Sequence, residues 1–446
     1  MTTRSTDSVS VKPGEVLKVL GKHLLVDGFH LVVDLDKSTG SRMYDSSSGK
    51  WYLDFYSMFA SNPLGFNHPR LMTAEFEKKL LRAARQKPAN SDVYSVEMAE
   101  FVETLDRFAI PKHLPHLFLV EGGSLGIENA LKAAFDWKVQ KNFARGYTTE
   151  RGTQVIHFKQ AFHGRSGYTL SLTNTDPIKT QYFPKFPWPR IENPKITFPL
   201  EGENLEAVIR AETLAVAQIE RAFADNPDDI AAILIEPIQG EGGDNHFRPE
   251  FFKELRRLAD VHEAMFIVDE VQAGVGLTGK MWSHEHMGVV PDMLCFGKKL
   301  QMGGLMCGAR IDEVKSNVFR KSGRINSTWG GNLADMVRAT AYLEIIQDED
   351  LVGNASRMGE ALLSGLHAIR QKHASVVSNV RGRGLMCAFD IATAEKRDRM
   401  KSFGYDEGVI MLGCGERSIR FRPSLNVTRE DIDEGLEKID RCLARL

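Results

Sequence analysis

The sequence lacks what would tie it to a membrane or to a nucleic acid. No stretch approaches the ~18 apolar residues of a membrane helix. The start, MTTRSTDSVSVKPGEV, has no apolar signal core, so a cytoplasmic protein without membrane contact is expected. Basic charge is not in excess: 57 Lys and Arg stand against 59 Asp and Glu. No positive field is available for nucleic acid or anionic lipid. Cysteine is scarce. Cys295, Cys307, Cys387, Cys414 and Cys442 are odd in number, widely spaced and without CxxC pairing. This argues against a disulfide framework and against a zinc site, and predicts reduced, mostly buried thiols with no metal centre. Internal repeats, low-complexity tracts and flexible linkers are also missing.

What is present is enough apolar sequence, 42% of 446 residues, for roughly two or three domains with large cores. Short apolar runs alternate with amphipathic stretches. HLFLV (116–120), AAILIEPI (231–238), MFIVDEV (265–271), DMLCFGK and LMCGARI read as strands. SLGIENALKAAFDWKVQ and PEFFKELRRLADVHEA read as helices between them. Continuous apolar strands separated by helices predict an α/β fold with a mostly parallel sheet covered on both faces. After residue 327 the texture changes to long helices, the strands LMCAFDI and SIRFRPSL, and a last helix opened by a Thr428 and Asp431 capping box. The expected organisation is a large domain over 61–327 and a smaller α+β domain over 328–446, joined by the N-terminal segment 1–60. The run KKLLRAARQK reads as a solvated helix face.

Ligands of open α/β sheets sit beyond the carboxyl ends of the strands. Asp269, ending FIVD, and Lys298, after CFG, qualify. A strand-end Asp can equally cap a helix, and a strand-end Lys can equally be solvated. Together they suggest pyridoxal phosphate, which needs a lysine for its Schiff base and an acid beside its ring nitrogen. Its phosphate needs backbone donors at a helix start, and EGGSLGIENALK supplies Gly122, Gly123 and Ser124 between a strand and its helix.

IEPIQGEGG, FIVDEVQAGVGLTG, PDMLCFGKKL, STWGGN and SIRFRPSL, in this order, resemble the class III aminotransferases of the fold type I pyridoxal-phosphate enzymes. The resemblance runs from SGKWYLDFYSMFASNPLGFNHP to the C-terminus. Within the class, EGGSLGIENALKAAFDWK and EGEGGDNHFRPEFF look most like the branch that moves the ε-amino group of L-lysine onto 2-oxoglutarate, yielding L-glutamate. The resemblance implies that Lys298 carries the Schiff base, Asp269 partners the ring nitrogen and Gln272 lies beside the phenolic oxygen. It also implies that Phe162 stacks on the ring, although by its residue type Phe162 could equally be core. Thr328 matches a phosphate ligand given by the neighbouring subunit, which implies a homodimer with shared sites. Lys299, one residue along a strand from Lys298, is expected to face away and be structural or solvated. Glu236 reads as a buried structural carboxylate. The chain departs from the class at Leu125, where an acid is usual, and at Ile127, where Asn is usual. Side-chain roles at those two positions do not carry over.

Substrate residues follow from the same resemblance. Lysine brings an uncharged methylene beside its reacting amine, whereas 2-oxoglutarate brings a carboxylate beside its reacting carbonyl. Arg420 resembles the carboxylate-binding arginine and Glu241 the glutamate that masks it while a terminal amine is bound, an exchange suited to bidentate pairing. For Arg420 and its neighbour Arg422, a surface charge is the plainer alternative. Arg165 is the candidate for the distal carboxylate, and His163 and Asn326 are expected to line the pocket.

Overall fold

The computed structural model describes residues 9–446; the first eight residues of the expected N-terminal segment lie outside the described residues. The apolar runs form five adjacent strands, starting from one edge, of a seven-stranded sheet. Its order is His116–Val120, Gly303–Cys307, Met293–Phe296, Met265–Asp269, Ile230–Ile235, Gln154–Phe158 and Arg190–Ile191. Ile230–Ile235, Met265–Asp269 and Met293–Phe296 are buried at every position, as strands covered on both faces must be. All neighbours are parallel except Gly303–Cys307, which is antiparallel to both of its own. Only residues 297–302 separate this strand from Met293–Phe296, too few for a parallel crossover. The reversing turn they form carries Lys298.

The Gly123–Ala144 helix packs on the strands at this end of the sheet. A side chain at Gly126 would put its Cβ 2.7 Å from the Gly304 carbonyl oxygen, so the helix approaches the sheet at van der Waals limits. Pro249–Val261 buries Phe251, Phe252, Leu255 and Leu258 on one face, matching the predicted amphipathic stripe. Ala74–Ala84, which contains most of the basic run, buries only Ala83.

A four-stranded antiparallel sheet follows in the order Val377–Arg383, Met386–Ile391, Ser418–Phe421, Leu412–Cys414. The N-terminal hairpin Arg42–Asp45 and Lys50–Asp54 takes Val409–Ile410 as a third, parallel strand. Early and late chain thus share one sheet. The terminal helix Arg429–Ala444 opens on the predicted capping box, with the Asp431 N–H donating to Thr428 Oγ1 at 3.1 Å. The Leu333–Asp348 helix packs on Val96–Phe108 and Ala74–Ala84.

One backbone feature was not predicted. Ser57, Met58, Phe59 and Ala60 all have φ between 39° and 63°, a left-handed turn without glycine. Asp54 Oδ1 accepts the N–H groups of Tyr56 (2.9 Å) and Ser57 (2.8 Å), and Ser57 Oγ donates to the Arg422 carbonyl at 2.6 Å. Among the described residues no helix is long and apolar enough to cross a membrane, and all five cysteines are free and buried.

Candidate active site

The Met293–Phe296 strand ends at Gly297, and the chain turns through Lys298–Leu300 as a short 3-10 segment with Lys298 at φ 42°. Gly297 is required by proximity: a Cβ there would lie 3.1 Å from Gly123 Cα. The expectation for Lys299 therefore needs correction in its reason, because the two lysines lie on a turn and strand alternation does not separate them. Lys299 is only 2% exposed, and its Nζ donates to the Gln272 carbonyl at 2.7 Å. It is structural and not solvated. Burial lowers the pKa of the Lys298 amine, with nearby Asp269 opposing the shift, which favours the neutral nucleophile.

Asp269 ends its strand beside this turn. Its Oδ2 lies 2.8 Å from His163 Nδ1, and its Oδ1 accepts the Val271 N–H at 3.0 Å. His163 was expected to line the pocket, but its ring is enclosed behind Asp269 with no exposed side-chain surface. That position suits a residue that orients the carboxylate. Its Nε2 is buried without a partner among the described residues, as is Gln272 Oε1.

Opposite stands the glycine-rich helix start. Gly122 has φ 93°, a conformation glycine adopts without strain, and the first N–H groups of Gly123–Ala144 have no intrahelical acceptor. Ser124 Oγ lies 2.5 Å from Ser166 Oγ and 2.9 Å from Thr169 Oγ1. Gly164 makes room for Ser124, since a Cβ there would sit 2.2 Å from the Ser124 hydroxyl. Ile127 is fully buried core and Leu125 is exposed, so the two departures from the class pattern take no part in this hydroxyl network. Glu236 is buried, as expected. It accepts the Phe162 N–H at 2.9 Å and the Gly240 N–H at 3.1 Å, and so fixes the aromatic residue and the loop that carries Glu241.

Glu241 and Arg420 meet. Arg420 Nη2 donates to Glu241 Oε2 at 2.8 Å, and Lys179 Nζ donates to Glu241 Oε1 at 2.6 Å. Burial opposes the Glu241 charge, yet Arg420 and Lys179 hold its pKa below the ordinary range. Arg420 and Arg422 are 3% and 1% exposed, so the surface alternative fails for both. Arg422 pairs with the buried Asp244, whereas Arg420 Nε and Nη1 have no partner among the described residues. Arg165 lies exposed on the loop before Gly167–Leu172 and forms no ion pair among the described residues. Asn326 and Thr328 are exposed on a surface segment; the Thr328 carbonyl accepts from Ser91 Oγ at 3.2 Å, and neither side chain bonds the Lys298 cluster.

Sequence reasoning missed Lys179 and Arg381. Arg381 Nε donates to the Asp244 carbonyl at 3.0 Å, and its Nη2 donates to that of Gly243, anchoring the loop. Neither residue belongs to a motif, and no periodic signal marks them.

The residues fit pyridoxal phosphate: a glycine-capped helix start for its phosphate, Asp269 for its ring nitrogen, Gln272 with an unpartnered oxygen, and Lys298 for its aldehyde carbon. Fold and site together define a pyridoxal-phosphate enzyme of fold type I. Comparison with known proteins narrows the class: residues 26–443 match the aminotransferase class-III family, and the chain belongs to it. It is 50% identical over 432 residues to the L-lysine-epsilon aminotransferase of Mycobacterium tuberculosis, covering 97% of this chain and 96% of that one. The same identity over 432 residues links it to the L-lysine-epsilon aminotransferase of Amycolatopsis lactamdurans, with 96% of each covered. Human mitochondrial 4-aminobutyrate aminotransferase is 33% identical over 440 residues, covering 92% of this chain and 84% of that one. The solved lysine aminotransferase from M. tuberculosis in the internal aldimine form superposes with a TM-score of 0.95 at 49% identity, covering 98% of this chain and all of that one.

Proposed function

We propose that the protein moves the ε-amino group of L-lysine to 2-oxoglutarate, giving 2-aminoadipate 6-semialdehyde and L-glutamate. The observation that carries this reading is Arg420, buried, held by Glu241 through one nitrogen and left with two nitrogens, Nε and Nη1, that have no partner among the described residues. Masked by Glu241, the guanidinium tolerates the methylenes of lysine. Released, it receives the carboxylate beside the reacting carbonyl of 2-oxoglutarate through two parallel bonds. Arg165 binds the far carboxylate of either substrate. Half-identical lysine-epsilon aminotransferases over nearly the whole chain support the choice of donor.

When bound, pyridoxal phosphate supplies an electron sink for the carbon bearing the transferred amine. Asp269, steadied by His163, keeps the ring nitrogen charged. Lys298, its pKa lowered by burial, would take the proton from Cε of lysine and deliver it to the C4′ carbon of the cofactor, so that the amine leaves with the cofactor and the substrate carbon is left at the aldehyde level. The direct test is a donor screen with 2-oxoglutarate as acceptor. Lysine should exceed ornithine and 4-aminobutyrate in kcat/KM by about tenfold or more, since each methylene of pocket depth is worth ~1–3 kcal/mol. Equal rates would overturn the assignment.

The same reading places the enzyme in the cytoplasm as a homodimer with shared sites, Thr328 reaching the phosphate of the partner subunit. Its exposure here supports that placement. Mixed dimers of Thr328→Ala and Lys298→Ala chains should recover one working site per dimer; verified mixing without recovery counts against sharing. The division into a large unit over 61–327 and a small one over 328–446 with the first sixty residues belongs to this reading. It is supported by the sheet joining Lys50–Asp54 to Val409–Ile410.

A further inference from the structure

We infer that Lys179 and the cavity beside it form the place to which the Glu241 carboxylate moves when it leaves Arg420. This rests on the reading of Glu241 as the mask of Arg420. Glu241 stands between two cations: Oε2 is 2.8 Å from Arg420 Nη2 and Oε1 is 2.6 Å from Lys179 Nζ. Behind Lys179 lies a cavity of about 160 Å³ whose lining includes Glu241, Lys179, Arg397 and Lys401, room for a carboxylate and several waters. The acids nearby are already engaged. Asp176, also in the lining, accepts the Ile178 N–H at 3.0 Å, and Asp398 pairs with Arg397 at 3.0 Å and Lys401 at 3.6 Å.

The backbone under Glu241 is fixed on every side. Gly415 N–H donates to the Glu241 carbonyl at 2.9 Å, Glu236 accepts the Gly240 N–H, Arg381 holds the carbonyls of Gly243 and Asp244, and Arg422 pairs with Asp244. Glu241 can therefore vacate Arg420 only by turning its side chain. A carboxylate that turned away from Arg420 with no cation waiting would be partly buried and unpaired, which is strongly disfavoured. Lys179 removes that obstacle because its hydrogen bond to Oε1 is already made before the Arg420 bond breaks. Lys179 Nζ also lies 5.4 Å from the centroid of the Phe162 ring, which puts this second position at the edge of the site. Lys179 is thus a positioning residue, acting on the substrate through Glu241.

The test uses the holoenzyme and glutarate, a dicarboxylate that cannot react, with binding measured by calorimetry. Lys179→Met should weaken glutarate by about tenfold, because Glu241 turned off Arg420 is then left without a cation whereas the masked Glu241 still has Arg420, and Lys179→Arg should restore most of it. In a Glu241→Ala background there is no carboxylate to receive, so adding Lys179→Met should change glutarate binding by less than about twofold, a non-additivity that simple destabilisation would not produce. Lys179→Met binding glutarate as wild type does, while Glu241→Ala alone tightens it, overturns the role of Lys179 and leaves the mask standing. Glu241→Ala without any effect on glutarate overturns the mask itself. Should Lys179→Met fail to fold, a crystal structure of the wild-type holoenzyme with glutarate decides: Glu241 within hydrogen-bond distance of Lys179 and away from Arg420 supports the inference, and any other position of Glu241 overturns it.

Discussion

The two ends of the site are built from different materials. At the helix start the work falls to backbone: Gly122 at φ 93°, Gly123 and Gly297 within contact of each other, and N–H groups that no mutation of a side chain removes. At the Arg420 corner it falls to three charged side chains brought from residues 179, 241 and 420, with two nitrogens left unpartnered. A backbone cradle suits a group that never leaves, since it is rigid and indifferent to sequence outside its glycines. A cluster of side-chain charges suits a place that must accept two chemically different substrates in turn.

The sharpest break in that comparison is chemical. Lys298→Ala should lower turnover by about 10²–10⁴-fold or more, the range for loss of a proton-transferring group, measured as steady-state kcat. Lys299→Ala should keep most of its turnover and instead melt several degrees lower, because it leaves the Gln272 carbonyl without its donor. Equal loss of turnover in both would remove the distinction between the two lysines.

Next in size is Glu241→Ala. Arg420 then stays available to a carboxylate, and the ratio of lysine to glutamate as donor should fall by about ten- to a hundredfold, less than a fully buried pair implies because Glu241 is partly exposed. Single-turnover rates with each donor are the measurement, and an unchanged ratio would falsify the mask.

At the other end, Gly123→Ala should weaken cofactor retention much more than Ser124→Ala. Its Cβ would meet Val271 at 2.5 Å, whereas loss of the serine hydroxyl removes hydrogen bonds worth ~1 kcal/mol each. Dialysis followed by cofactor absorbance reads both. If Ser124→Ala loses more cofactor, the cradle is not a backbone device.

The smallest effect concerns Glu236. Burial raises its pKa from 4.5 to about 7, against His163 and with help from Asp269. A raised folded value means the folded chain holds the proton more tightly than the unfolded one. The resulting stabilisation is complete below the unfolded pKa and is lost as pH rises through about 7. Glu236→Gln should therefore narrow the Tm difference between about pH 5 and about pH 8 by roughly 2 °C.

Legibility in the sequence followed the same divide. The sheet, its flanking helices and the glycine-capped helix start could be read from apolar runs and glycine spacing, because burial on both faces and positive φ leave marks along consecutive residues. Lys298 was singled out by its place after a strand and by its resemblance to a motif. At the Arg420 corner, Arg420 and Glu241 were paired through their resemblance to motifs, but Lys179 left no mark: it lies 62 residues from Glu241 and ends the short 3-10 segment Pro177–Lys179, where it looks like any solvated charge. Lys299 was given the right role for the wrong reason, since nothing in CFGKKL says that the strand stops at Phe296. His163 was expected to line the pocket, but its ring turns inward to Asp269.

The left-handed turn at Ser57–Ala60 lies directly against the segment that follows Arg420, through the Ser57 hydroxyl on the Arg422 carbonyl. Four non-glycine residues in that conformation invert an ordinary rule of mutational scanning. Glycine, which weakens most helices and strands, should be neutral or stabilising at Met58 and Phe59, where it relieves ~1–2 kcal/mol of steric conflict each. These side chains stand at the expense of fold stability, so a stability-guided redesign would replace them with glycine first and leave the turn itself in place.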